Sequence, residues 1–169
     1  RRYWALAGHS LGSTTGHRPG RDGRSLLAMS KQPTLPMTPG QRELFDAAVA
    51  AQANSYSPYS HYKVGAAIRT AAGTVFAACN VENAAYPQSN CAEASAIVMM
   101  VAAGEREITE VLTVCDGERI GTCCGGCRQR IREFADLTTP IYACGPDGMR
   151  AVFTLDELLP HSFGPEHLL

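Results

Sequence analysis

The residues of this chain with the clearest capacity for chemistry lie in two short segments, Cys91-Ala92-Glu93 and Cys124-Gly125-Gly126-Cys127. Each sits where a loop enters a predicted helix. A Cys-x-x-Cys pair at one helix start and a third sulfur at another come within reach of a single ion, and the glycines permit the tight backbone. Zinc prefers four ligands, and a catalytic zinc keeps the fourth place for water. Three sulfurs without an evident fourth donor are therefore the pattern of an open site. Three thiolates over-neutralise a divalent ion and weaken it as a Lewis acid. Helix N-termini oppose this, because free N–H groups and the helix dipole draw charge from sulfur. Arg128, next to Cys127, is a candidate to add to that effect. Glu93 is offset from Cys91 and can face the open place. A carboxylate there can take a proton from water and deliver it to a leaving amine. That pairing suits hydrolysis at an amidine-like carbon bearing an amino group, as in a cytosine ring.

A Cys-x-x-Cys alone fits a redox pair or half of a structural zinc site. Joined to a Cys-x-Glu across an intervening strand, it is far more specific. Cys123 adds a question of register, since three cysteines fall within five residues. Cys123 could compete for the metal, but only Cys124 with Cys127 preserves the Cys-x-x-Cys spacing. Upstream, Asn80-Val81-Glu82 closes a predicted strand, and alternation points Asn80 and Glu82 the same way. A carboxamide beside a carboxylate suits sugar hydroxyls, one offering donor and acceptor and the other acceptors only.

The elements that must position these groups follow from local pattern. Thr38-Pro39 caps a helix with Leu44, Phe45, Ala48, Val49 and Ala51 on one face, running to about Asn54. Strands over 62–70 and 75–80 flank the turn at Ala72-Gly73 and make a hairpin. Residues 83–90 are a loop. Residues 92–103 are a helix stopped by Gly104. A strand over 108–115, a turn over 121–126 and an amphipathic helix over 127–134 follow. Strands over 140–144 and 151–155 end the pattern, and 158–169 is a tail. Five strands and three helices in one domain predict an α/β fold, a three-layer α/β/α sandwich around a five-stranded mixed sheet.

Composition narrows the class further. The chain has 169 residues, one domain's worth, with 45% hydrophobic and 18% charged residues. Its apolar runs are too short for a membrane span. Residues 1–38 carry six Lys/Arg against one acid, and residues 39–169 carry nine against fifteen. The domain is acidic, which argues against strand-binding of nucleic acid. Residues 1–37 are basic and lack apolar periodicity, which reads as a disordered leader or upstream extension, loosely like an organellar transit peptide. The expected domain is 38–169. Seven cysteines, an odd number with three crowded together, point to a reduced compartment, hence the cytoplasm, rather than to a disulfide framework. Cys79, Cys115 and Cys144 are expected to be small core residues, and Met99-Met100 core or subunit packing.

Over residues 38–169 the sequence resembles the cytidine deaminase family, whose zinc signature has the Cys-x-Glu and Cys-x-x-Cys parts described above. Ser57-Pro58-Tyr59-Ser60-His61-Tyr62-Lys63-Val64-Gly65-Ala66-Ala67 resembles the family's first strand block, and 79–87 its ribose loop. Residues 91–93 and 124–129 resemble the two metal segments, and 158–165 the C-terminal segment. The resemblance implies that Cys91, Cys124 and Cys127 hold zinc and that Glu93 shuttles protons and hydrogen-bonds the ring. It also implies that Asn80 and Glu82 bind ribose and that the Ala92 backbone contacts the base. Tyr62 stands where the family usually has Phe near the base. Phe163 resembles an aromatic that reaches into a neighbouring subunit's site, in a homotetramer. The implied reaction is hydrolysis of cytidine or deoxycytidine to uridine or deoxyuridine and ammonia in pyrimidine salvage. Rival readings are a deaminase of an antibiotic-type cytosine nucleoside, and a non-catalytic structural zinc or redox module. Two departures from the family pattern stand out: Cys123 replaces a Pro, and Ala94 replaces an Arg that offsets thiolate charge in many three-cysteine members.

Overall fold

A computed structural model describes residues 33–168. Thr38 opens α1 (Pro39–Ala53) with a reciprocal cap: its amide donates to Gln41 Oε1 at 2.9 Å, and the Gln41 amide donates to Thr38 Oγ1 at 3.3 Å. The hairpin β1 (Val64–Thr70) and β2 (Val75–Cys79) follows, turning at Gly73 with φ +84°. Then come α2 (Ala92–Ala102), β3 (Ile108–Cys115), α3 (Gly125–Arg132), β4 (Pro140–Gly145) and β5 (Gly148–Thr154). The sheet order is β2-β1-β3-β4-β5, with β3 and β4 parallel and the other neighbours antiparallel. The expected mixed five-stranded sheet is thus present.

Strand alternation divides the core into two layers. Ala67, Leu112, Val114, Tyr142 and Cys144 pack with Leu44, Phe45 and Ala48 of α1. Ile68, Val111 and Ile141 face the other way, onto Ala96, Ile97 and Met100 of α2 and Ile131 of α3. Helices on both faces give the three-layer sandwich. α1 approaches the sheet closely because β1 has Gly65 there: a Cβ on it would lie 2.0 Å from the Ala48 carbonyl oxygen.

Three local expectations shift. The buried stripe of α1 is Leu44, Phe45, Ala48 and Gln52, whereas Val49 is 37% exposed and Ala51 half-buried. Gln52 enters the core because its Nε2 has partners there, donating to the Lys63 carbonyl at 3.0 Å and to Asp116 Oδ1 at 3.2 Å. The last strand ends at Thr154, and a short helix α4 (Leu155–Leu158) follows where the strand was expected to reach Leu155. Thr154 and Glu157 form a second capping box, a sequence signal that marks this start. The third helix starts two residues before Cys127, so Cys124 is its N-cap.

The leader expected over 1–37 lies mostly outside the described residues. At its end, the Leu35 amide donates to the Met149 carbonyl at 2.7 Å, and Met37 packs on the layer beneath α1. Contact with the sheet therefore begins before Thr38. Met99 and Met100 divide, with Met100 buried and Met99 exposed.

The revised α1 stripe has a direct check. Leu44→Ala should cost about 2–5 kcal/mol in urea unfolding. Val49→Ala should cost less than about 1 kcal/mol, the behaviour of a surface change.

Candidate active site

The first turns of α2 and α3 meet at one end of the layer that covers the sheet. Cys91 is the N-cap of α2 and Cys124 the N-cap of α3, and neither side chain makes a capping hydrogen bond. Cys127 lies in the first turn of α3. The three sulfurs lie within 4.8 Å of one another, with Cys91 and Cys124 at 3.7 Å. Sulfurs at tetrahedral places about 2.3 Å from a zinc ion stand roughly 3.8 Å apart, so the trio fits that ion in donor type and spacing. Leading amides of both helices lack intrahelical partners and gather where the sulfurs are.

Thiol electrostatics set Cys91 and Cys127 apart. Cys91 is lowered to about 6, chiefly because Cys127 and Cys124 donate hydrogen bonds to it; Arg130 adds to this, while burial and Glu93 oppose it. Cys127 shifts strongly upward as the donor to Cys91, helped by burial. Cys123 departs from the trio. Its side chain is buried in the α2–α3 core layer, and burial pushes its thiol up to about 12. Of the two adjacent cysteines, Cys124 is turned outward with the other two sulfurs and Cys123 inward.

Glu93, in the first turn of α2, is 3% exposed, and Cys127 Sγ donates to its Oε2 at 3.3 Å. Burial raises its carboxyl above the ordinary range, against the opposing pull of its own amide, the Cys127 thiol and Arg130. Arg128 was expected to offset thiolate charge, but its guanidinium is turned elsewhere. It donates to the Cys123 carbonyl at 2.9 Å, the Leu158 carbonyl at 2.7 Å and Thr122 Oγ1 at 2.8 Å. Arg128 therefore fastens the loop that enters α3, and Arg130 is the cation that favours ionised Cys91 and Glu93.

A cavity of about 590 Å³ opens onto this cluster, lined by Cys91, Ala92, Glu93 and Cys124 on one side and by Tyr62, Asn80, Glu82, Thr113, Cys115 and Gly121 among others. That volume suits a small molecule of nucleoside size. Asn80 lies past the end of β2, and its side chain already ties the wall together. Its Oδ1 accepts from Ser55 Oγ at 2.5 Å and from the Val64 amide at 2.8 Å, and its Nδ2 donates to the Tyr62 carbonyl at 2.9 Å. Glu82 Oε2 accepts the Tyr59 and Ser60 amides at 2.9 and 3.2 Å, and the Ser60 hydroxyl and these amides hold its carboxyl below the usual range. The Tyr62 hydroxyl contacts the Cys115 thiol, and burial carries the two up to about 12 and about 11. Gly121 leaves room for that pair, since a Cβ on it would lie 3.2 Å from Cys115 Sγ and 3.5 Å from the Tyr62 hydroxyl. Cys115, expected as a core residue, is buried but also part of the cavity wall.

Phe163 is not brought to this cavity within the chain. Its ring is 56% exposed, stacks on His167 at 4.9 Å, and lines a separate cavity of about 190 Å³ beside α3. Two loop anchors had no local sequence signal. Arg150, with its side chain 5% exposed, pairs with Asp147 at 2.8 Å and donates to the Gly117 and Arg119 carbonyls at 2.7 and 3.1 Å. Asp116 accepts from Gln52 and from the Lys63 amide. Both fix the segment that leads from β3 to Gly121.

The family described as the cytidine and deoxycytidylate deaminase zinc-binding region matches residues 39–143. The chain belongs to this family. A cytidine deaminase of Sporosarcina psychrophila is 39% identical over 118 residues, 70% of this chain and 87% of that one. One of Halalkalibacterium halodurans is 35% identical over 74% of this chain and 95% of its own. The crystal structure of cytidine deaminase from Burkholderia pseudomallei superimposes with a TM-score of 0.70 at 39% identity, covering 75% of this chain and all of that one. The three gathered sulfurs lie within the matched span and suit the zinc binding that names this family.

Elemental analysis of purified variants separates the crowded cysteines. Cys127→Ala should lose the bound metal, and Cys123→Ala should retain about one ion per chain. The reverse pattern would place the metal on the other register.

Proposed function

We propose that this protein hydrolyses cytidine and deoxycytidine to uridine and deoxyuridine with release of ammonia. The observation that carries the reading is the buried Glu93 carboxyl standing beside three gathered sulfurs on the wall of a nucleoside-sized cavity. Cys91, Cys124 and Cys127 would hold zinc. When bound, zinc supplies Lewis acidity that brings the pKa of water to near neutrality. Glu93 takes the proton given up by the attacking water and returns it to the amino group as the C4–N bond breaks. Burial tunes it toward this task, because a carboxyl raised above its ordinary range holds and releases a proton closer to neutral pH.

Glu82 and Asn80 would bind the sugar. A carboxylate has about four acceptor places, and two amides with the Ser60 hydroxyl leave Glu82 capacity for a ribose hydroxyl. The network around Asn80 holds its carboxamide in one orientation beside it. The Ala92 backbone, at the uncapped start of α2, would meet the base, and Tyr62 would form the wall against which the ring lies.

Assembly as a homotetramer belongs to the same proposal. Val98 and Met99 of α2 are 67% and 48% exposed, Tyr86 is 73% exposed, and Phe163 stands outside its own chain's cavity, available to a neighbour's. Among the described residues no helix is long and apolar enough to cross a membrane, and a cytoplasmic setting suits seven free thiols in the chain.

Loss of cytidine's ultraviolet absorbance tests the activity. Purified protein should turn over cytidine, lose that activity to a chelator and regain it with zinc. Glu93→Gln should keep its metal while kcat falls by about 10²–10⁴ or more. Full activity in metal-free protein, or in Glu93→Gln, would defeat the reading.

A further inference from the structure

The row of β3 beneath the cavity carries a hydroxyl that the reaction as described does not use. Alternation along β3 sends Leu112 and Val114 to the α1 side and Val111, Thr113 and Cys115 to the side of α2 and α3. Thr113 is paired with Ala66 on β1 and Ala143 on β4, both buried. One row further from the cavity, Ile68, Val111 and Ile141 fill the same layer with large side chains. Two alanines flanking Thr113 leave space that large neighbours would occupy, and the cavity reaches down to it.

Thr113 is 1% exposed, and its Oγ1 has no hydrogen-bond partner among the described residues. A buried hydroxyl left unpaired opposes folding, and valine has the same shape without that penalty. Neighbouring polar groups of the wall are already engaged: the Tyr62 hydroxyl with Cys115, the Thr122 hydroxyl with Arg128, and Glu93 with Cys127. Thr113 therefore stands out as a buried, unpaired donor and acceptor facing the space where a ring would lie.

We propose that the Thr113 hydroxyl hydrogen-bonds the polar edge of the bound pyrimidine and is a substrate-binding contact of this site. The proposal rests on reading the cavity as a cytosine nucleoside site. The cytosine edge offers acceptors at O2 and N3 and a donor at the C4 amino group, and a threonine hydroxyl rotates to serve either kind. Filling the cavity satisfies a group that the folded chain leaves unpaired, so the free energy withheld in folding is recovered on binding.

The test is the isosteric exchange Thr113→Val with Thr113→Ser beside it, both assayed on cytidine with zinc content and Tm measured. Thr113→Val should keep its metal, hold or raise its Tm, and lose about tenfold or more in kcat/KM, the effect of one unpaired hydrogen-bonding group in the bound complex. The inhibition constant of uridine should weaken in parallel, and Thr113→Ser should restore kcat/KM to within about threefold of wild type. A valine variant within about twofold of wild type would overturn the contact while leaving the activity standing. Wild-type protein that turns over no cytidine would sink the reading of the site, and this contact with it.

Discussion

Two helices begin at the same place, and the rest of the site depends on that convergence. Cysteine occupies both N-cap positions, where an oxygen side chain would normally accept from the first-turn amides. Leaving those amides uncapped preserves partial positive charge for the three sulfurs, and sulfur in turn occupies the position that a cap would have filled. Charge on the sulfurs is opposed by these helix-start amides and by the Arg130 guanidinium. Arg128 is committed to the Cys123 and Leu158 carbonyls and takes no part in this.

Holding both helix starts in register requires anchoring the loops that enter them. Arg128 joins Thr122 and Cys123 to the end of α4, and Arg150 seizes two carbonyls of the preceding loop. Gln52, drawn into the core from α1, links that loop's Asp116 to the start of β1. On the opposite wall, Asn80 and Glu82 organise the segment from Ser55 to Val64. The residues proposed to bind ribose are thus also those that shape the wall, so binding and local architecture share the same side chains. Preorganisation of this kind places the ordering cost in folding rather than in binding.

Much of the framework was legible because it is encoded locally. Apolar periodicity and alternation located all five strands and the three long helices to within about two residues, except at β5, whose start lies three residues earlier than expected. A tight β4–β5 turn at Pro146-Asp147 explains that difference, since Gly148 just after it, with φ +137°, pairs with Gly145 and carries the hairpin almost to its tip. α4 was missed although Thr154-Leu155-Asp156-Glu157 carries a capping box, because its four residues are too few to show a period. Gln52 breaks the apolar rule for a buried stripe, and only its distant partners make its burial tolerable.

The sequence by itself determined the residue types and spacings, the two helix starts that bear sulfur, and the alternation that makes a mixed sheet with covered faces. These depend on neighbours a few positions apart, which a single chain displays directly. Tertiary structure decided which of two adjacent cysteines turns outward, where Arg128 spends its charge, that Phe163 stands away from its own chain's cavity, and that the Thr113 hydroxyl lies on the cavity wall without a partner among the described residues. Each of those outcomes is set by contacts between segments far apart in the chain, where packing space and available partners choose among orientations that local pattern leaves equal.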